Sequence, residues 1–178
     1  MEFDSANSIF RPNHNVRPRN QCPGKKSETD GCQYFDEQTI QKTVCSLVDA
    51  LDYLHNEVGI VHRDIKPQNI LVDDLGNAQL VDFGKSMELQ ANGGSDLTTS
   101  IAGSPAFLPP ECCTFEDFDQ KAYEMKQADI WALGITLYCM AYSKMPFDLS
   151  GSDFQLMENI CMHNLNFSQE REISPELQ

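Results

Sequence analysis

The sequence predicts a mainly helical fold, α+β in class, with one small β-hairpin. Three patterns carry that expectation. Ile40, Val44, Leu47, Val48, Leu51 and Leu54 recur at steps of three and four, the period of a helix with one face turned to a core. The run from Ile130 to Tyr142 is apolar all round but shorter than the about 20 residues that span a bilayer, so it predicts a helix buried inside the domain. Between them, Ile70-Leu71-Val72 and Gln79-Leu80-Val81 flank the turn-forming cluster Asp73-Asp74-Leu75-Gly76-Asn77, the pattern of a hairpin.

The elements follow in chain order. The stretch from Arg11 to Gly31 is rich in Pro, Gly, Asn and Ser, has no period of 2 or 3.6, and carries five basic and two acidic residues. It predicts a solvated, basic insert over residues 11–34. Asp36 or Thr39 supplies an N-cap for the first helix, and Gly59 closes that helix after Asn56. Ile60-Val61 then starts an extended stretch, the hairpin follows, and Lys85 to Pro110 reads as loop, with Gly93-Gly94 and a Ser/Thr-rich run. The buried helix occupies Asp129 to Tyr142. Phe154 to Met162 predicts a short helix with Phe154, Met157, Ile160 and Cys161 as its apolar positions, and Ser174-Pro175-Glu176-Leu177 reads as the capped start of another.

Composition narrows the function classes. The 178 residues suit a single domain. Asp plus Glu number 27 against 13 Lys plus Arg, a net charge of −14. That balance argues against a protein built to neutralise nucleic-acid phosphates or to sit on an anionic membrane. No membrane span is expected, and MEFDSANSIF lacks the basic start of a signal peptide. The seven cysteines form no C-x-x-C pair, so neither a zinc site nor a disulfide framework is expected. Reduced thiols in a cytosolic or nuclear compartment fit better, with Cys112-Cys113 as packing rather than a redox pair.

Chemistry concentrates in two loops. Ile60-Val61-His62-Arg63-Asp64-Ile65-Lys66-Pro67-Gln68-Asn69-Ile70-Leu71-Val72 is followed by Val81-Asp82-Phe83-Gly84. Asp64, Lys66, Asn69 and Asp82 fall in or beside turns at the edges of the hairpin, where catalytic groups are carried. Two carboxylates, an amide oxygen and an ammonium suit an oxygen-liganded Mg²⁺ with a phosphate. H-R-D-x-K-P-x-N followed at hairpin spacing by D-F-G resembles the catalytic and metal loops of eukaryotic protein kinases. Gly103-Ser104-Pro105-Ala106-Phe107-Leu108-Pro109-Pro110-Glu111 is similar to that family's substrate-binding loop and its A-P-E end, with Pro109 in place of Ala. Asp129-Ile130-Trp131-Ala132-Leu133-Gly134 resembles the central helix of the large lobe, and Lys144-Met145-Pro146-Phe147 the segment after it. The resemblance spans about residues 32 to 178.

The resemblance implies a fold, cofactors and roles. Residues 35–178 would form the kinase large lobe, an α+β unit with its hairpin at the catalytic site, cut before its last helices. Residues 1–10 would be a hinge remnant, with Glu2 and Phe3 touching ATP. Asp64 would orient the substrate hydroxyl and accept its proton, and Lys66 would neutralise the transferred phosphoryl group. Asn69 and Asp82 would hold Mg²⁺, and Leu71 would floor the adenine pocket. Arg63 would pair with a phosphorylated Thr98, Thr99 or Ser100. His62, Phe83, Gly84, Ser104, Glu111 and Asp129 would serve structure, Asp129 by binding the catalytic-loop backbone and Ser104 by keeping a hydroxyl near Asp64 and Lys66. Lys66 points to serine/threonine acceptors, while Lys85 leaves serine against threonine open. G-S-P-A-F-x-P-P-E and the long stretch before Asp129 resemble the calcium/calmodulin-dependent kinase kinases and the liver tumour-suppressor kinase, so another kinase is an expected protein substrate.

The family's small lobe has no counterpart in these residues: no G-x-G-x-x-G loop and no phosphate-pairing lysine strand. The Arg that would pair with Glu111 would lie in later helices, so a buried Glu111 would stand unpaired. The 178 residues alone are expected to show no kinase activity and to bind ATP weakly. The rival to a serine/threonine kinase is a non-catalytic, pseudokinase-like interaction module, which has no need to keep Asp64, Lys66, Asn69 and Asp82 together.

Overall fold

The computed structural model describes residues 35–73, 77–113, 122–162 and 174. The insert at 11–34, Glu2 and Phe3 lie outside them, as do residues 175–178 of the expected terminal helix start. Three helices dominate, accompanied by three two-stranded antiparallel sheets.

Helix α1 spans Glu37–Asp52. Asp36 is its N-cap: the carboxylate accepts from the Thr39 backbone N–H at 2.9 Å and from the Thr39 hydroxyl at 2.7 Å, so Thr39 is a donor to the cap and not the cap itself. Ile40, Thr43, Leu47 and Leu51 are buried. Val48, expected inside, is 47% exposed, because the inward stripe runs at steps of three and four from Ile40 and passes it by. The helix continues into a π-helical turn, Tyr53–Val58, and stops at Gly59, whose φ of 73° suits a residue without Cβ.

Strand β1, Ile60–Val61, pairs with β4, Met87–Glu88. The hairpin joins β2, Ile70–Val72, to β3, Ala78–Leu80, one residue earlier than the sequence pattern places the second strand. Asp73 and Asn77 close its base: Asn77 donates through its backbone N–H and through its amide to the Asp73 carboxylate, each at 2.8 Å. The stretch expected as loop contains more order than its composition suggests. Besides β4 it holds β5, Leu97–Thr98, which pairs with β6, Tyr123–Glu124. Two residues per strand are too few for an alternation pattern to register.

Helix α2, Met125–Tyr142, begins four residues before the expected Asp129. Ala132 and Leu133 pack with Leu47 and Leu51 of α1 and with the hairpin. Ile135 and Cys139 pack on a second side with Phe147 and Ile160. Burial on two sides explains why its apolar residues surround the axis. It is not complete: Ile130 is 54% exposed and Gly134 lies on the same face one turn on, with no described element over them. Helix α3, Asp153–Met162, buries Leu156 and Ile160. The expected inward positions Phe154 and Cys161 are exposed, since a ten-residue helix seated on one side of the core turns only a narrow stripe inward. No described helix is long and apolar enough to cross a membrane.

The cysteines Cys45, Cys112, Cys113, Cys139 and Cys161 are free thiols. Burial pushes Cys112, Cys113 and Cys139 up to about 12, so these three are packing groups and not thiolates at neutral pH.

Asp129 ties the elements together. It is 1% exposed and accepts from the backbone N–H of His62 at 2.9 Å, the backbone N–H of Arg63 at 2.8 Å and the His55 ring at 2.8 Å. Asp129→Ala leaves two buried backbone donors and a buried imidazole without an acceptor. A loss of about 3–5 kcal/mol is expected, as for a buried charge network with one partner removed. Asp129→Asn, which keeps one oxygen, should lose less. Urea unfolding followed by Trp131 fluorescence checks both, and an unchanged midpoint in Asp129→Ala would contradict this role.

Candidate active site

The site is built on the loop between β1 and β2. His62 is fully buried. Its Nδ1 accepts from the Asp64 backbone N–H at 3.3 Å, which leaves Nε2 to donate to the Val81 carbonyl at 3.2 Å. The ring also meets Phe83, with centroids 4.9 Å apart. Arg63 has φ 66°, a costly conformation for a residue with a Cβ. The Asp129 bonds to residues 62 and 63 hold it there. This kink separates two functions: His62 turns into the core, and Asp64 turns toward the cleft.

The Asp64 carboxylate is the centre. One oxygen, Oδ1, accepts from the Ser104 hydroxyl at 2.9 Å. The other accepts from Lys66 Nζ at 3.0 Å and from the Asn69 amide at 3.2 Å. Lys66 also donates to the Ser104 hydroxyl at 2.8 Å, so three side chains close a ring of hydrogen bonds. Pro67–Asn69 forms a 3₁₀ turn with proline at its start, which brings Asn69 back under Asp64, where its amide also donates to the Asp64 carbonyl at 2.9 Å. Burial pushes the Asp64 carboxyl up. The hydrogen bonds from Lys66 and Ser104 and the charges of Lys66 and Lys85 together outweigh burial, and the group lies below the ordinary 3.8.

Lys85 is the participant that motif reading did not assign to this centre. Its Nζ lies 3.3 Å from Asp64 Oδ2. The one sequence signal was a charged residue directly after Asp82-Phe83-Gly84.

Asp82 lies at the exposed end of the hairpin. Its neighbour Val81 donates to the Asn69 carbonyl at 3.0 Å, which sets the two segments side by side. Asp82 has φ 64° and accepts from the Gly84 backbone N–H at 3.3 Å, so the backbone turns sharply there. Asn69 and Asp82 fit a hard cation. Asn69 commits its amide N–H to Asp64, which leaves its amide oxygen, and Asp82 offers an exposed carboxylate. Two oxygen donors fill only part of a hard cation's shell, so further oxygen ligands would complete it.

The remaining expected residues fall around this centre. Gly103 has φ 123°, and a Cβ on it would stand 2.9 Å from the Arg63 carbonyl, so only glycine lets the Ser104 loop approach the Asp64 loop this closely. Arg63 reaches the other way and donates to the Ser100 carbonyl, which also accepts from Tyr123 OH at 3.1 Å. Thr99 and Ser100 are exposed and Thr98 is half-buried in β5. Leu71 is half-buried on β2 opposite Gln79. Glu111, which would lack a partner if it were buried, is exposed: it sits on a short 3₁₀ turn whose buried member is Cys112. Phe83 and Gly84 are exposed too.

Comparison with known proteins agrees with this geometry. The protein kinase domain description matches residues 23–178. The serine/threonine-protein kinase TOS3 of Saccharomyces cerevisiae is 37% identical over 157 residues, 82% of this chain and 27% of TOS3. The calcium/calmodulin-dependent protein kinase kinase cmkC of Emericella nidulans is 44% identical over 115 residues, 64% of this chain and 21% of cmkC. The SNF1-activating kinase 1 of Saccharomyces cerevisiae is 34% identical over 173 residues, 85% of this chain and 15% of that protein. The chain therefore spans less than a third of the length of these curated relatives.

The charge balance at Asp64 has a signed consequence. Its folded-state value lies below 3.8, so its contribution to stability is present above that ordinary value and is lost as pH falls through the lower folded value. A carboxyl-carbon NMR titration should find Asp64 below 3.8 in the unaltered chain and displaced upward in Lys66→Met, where burial meets less opposition. An unmoved titration in that variant would show that Lys66 does not set the carboxylate's charge state.

Proposed function

We propose, from the premise that the chain belongs to the protein kinase family, that the protein transfers the γ-phosphoryl group of ATP to serine or threonine hydroxyls of proteins. The observation that carries this reading is the Asp64 centre: a buried carboxylate ringed by Lys66, Ser104 and Asn69, with the segment that bears Asp82 hydrogen-bonded to Asn69 through Val81. A non-catalytic interaction module, the rival reading, has no need to keep Asp64, Lys66, Asn69 and Asp82 together. The described residues are read as the large lobe of the kinase domain.

Each residue's task follows from its surroundings. Asp64, kept as a carboxylate, orients the substrate hydroxyl and takes its proton as the oxygen bonds to the γ-phosphorus and the bond to the departing ADP breaks. Lys66, already bridging Asp64 and Ser104, faces the negative charge on the phosphoryl group in transit. Loose phosphoryl transfer asks chiefly for this positioning and counter-charge. Mg²⁺ held by Asn69 and Asp82 would supply charge neutralisation on the ATP phosphates. Ser104 connects the substrate loop to the catalytic aspartate, so the site takes shape when that loop docks. Leu71 is our candidate for the floor of the adenine pocket, and Arg63 for the partner of a phosphate on Thr98, Thr99 or Ser100.

A second protein kinase is our proposed substrate. The name of one relative, the calcium/calmodulin-dependent protein kinase kinase cmkC, supports it. Free thiols throughout the described core support a cytosolic or nuclear location.

The test is mutagenesis of the full-length protein with peptide substrates. Asp64→Asn should lower kcat by about 10²–10⁴, the range of a general base, with little change in ATP affinity. Loss of ATP binding with kcat kept at saturation would contradict the role given to Asp64. Asp82→Ala should abolish Mg²⁺-dependent turnover, and retained turnover would remove Asp82 from the metal site. Products should carry phosphoserine or phosphothreonine; mainly phosphotyrosine would overturn the acceptor class.

A further inference from the structure

We propose that Lys85 selects protein substrates with an acidic side chain next to the acceptor hydroxyl. The inference rests on the kinase reading above and adds a substrate class to it. Lys85 Nζ lies 3.3 Å from Asp64 Oδ2. That oxygen already accepts from Lys66 and Asn69, and the other oxygen accepts from Ser104. Lys85 is therefore a second ammonium on a carboxylate whose hydrogen bonding is already met. Lys66 and Lys85 thus place two ammonium groups on the single carboxylate of Asp64.

Exposure decides which lysine the ligand meets. The Asp64 side chain is 4% exposed, Lys66 21% and Lys85 43%. Lys66 is held between two partners, whereas Lys85 stands at the opening on a long flexible stem. Among the described ion pairs its partner is Asp64, and the Asp82 carboxylate is not one. The ammonium thus leans to the acceptor side of the site rather than to the cation side. An acceptor hydroxyl at Asp64 displaces Lys85 from a contact it shares with better-placed donors, and a neighbouring carboxylate on the same peptide gives the freed ammonium a partner of its own. In a chain of net charge −14, long-range attraction would favour basic substrates. A preference for an acidic neighbour therefore needs a local cation, and Lys85 is placed to be one.

The experiment compares three peptides that differ solely in the residue beside the acceptor serine: Asp, Ala or Arg. Full-length protein is assayed unaltered and as Lys85→Met, Lys85→Arg and Lys85→Glu. The unaltered protein should favour the Asp peptide over the Ala peptide by about three- to tenfold in kcat/KM, the scale of a half-exposed ion pair, with the difference in KM. Lys85→Arg should keep that ratio, Lys85→Met should bring it near one, and Lys85→Glu should turn the preference to the Arg peptide. Added salt should shrink the ratio in the unaltered protein. A ratio near one from the start, or one unchanged in Lys85→Met, would overturn the proposal. So would an equal fall in kcat for all three peptides, which would assign Lys85 to the phosphoryl group instead. The kinase reading is judged separately: phosphorylation of any peptide, abolished by Asp64→Asn, upholds it even where the Asp preference is absent, and no phosphorylation of any peptide sinks both.

Discussion

The buried carboxylate of Asp129 accepts from two successive backbone N–H groups, those of His62 and Arg63. The rest of the site depends on this constraint. Arg63 holds a left-handed backbone conformation that costs of order 1–3 kcal/mol for a residue with a Cβ, and it persists because the surroundings over-determine it. The kink directs the His62 ring into the core and the Asp64 carboxylate toward Lys66, Asn69 and Ser104. The same carboxylate accepts from the ring of His55, which the π-helical turn after α1 delivers, so one side chain of α2 joins the end of α1, the loop after β1 and its own helix. Such a network in a low-dielectric interior is favourable when every donor is met and costly when one is not.

A second level of order is electrostatic. Asp64 is buried, and a buried carboxylate keeps its charge when cations and donors surround it. Lys66 and Asn69, from the loop that carries Asp64, and Ser104, from a second loop, do this. Ser104 comes from a loop that can approach because Gly103 has no side chain to strike the Arg63 carbonyl. The loop before it is anchored at a distance: β5 pairs with β6, Met125 donates to the Asp96 carbonyl at 2.9 Å, and Arg63 and Tyr123 share the Ser100 carbonyl. Order in residues 97–104 and order at Asp64 are thereby linked through Arg63, whose backbone is held by Asp129 and whose side chain reaches Ser100.

Helix α2 makes both levels rigid. Its residues pack toward α1 and the hairpin on one side and toward the α3 region on another. The aspartate that fixes the loop of residues 62–69 thus stands on an element that cannot shift without disturbing two cores. Functional groups placed on loops gain their precision from such supports.

The sequence alone determined an amphipathic helix beginning after Asp36, the hairpin, the central apolar helix and the spacing that sets Asp64, Lys66 and Asn69 in one loop. Each is written locally, in a period, a turn cluster or a motif of fixed spacing. Tertiary structure decided what depends on distant partners. Val48, Ile130, Phe154 and Glu111 took their exposure from which neighbours cover each face, and no local pattern records that. The two-residue strands β4, β5 and β6 are set by ladder partners up to 28 residues away in sequence, and two residues carry no alternation to read. Lys85 joined Asp64 across 21 positions of chain because the hairpin brings the two loops together. Charge acts through space, so the company an ammonium keeps is settled by the fold and not by its neighbours in the chain.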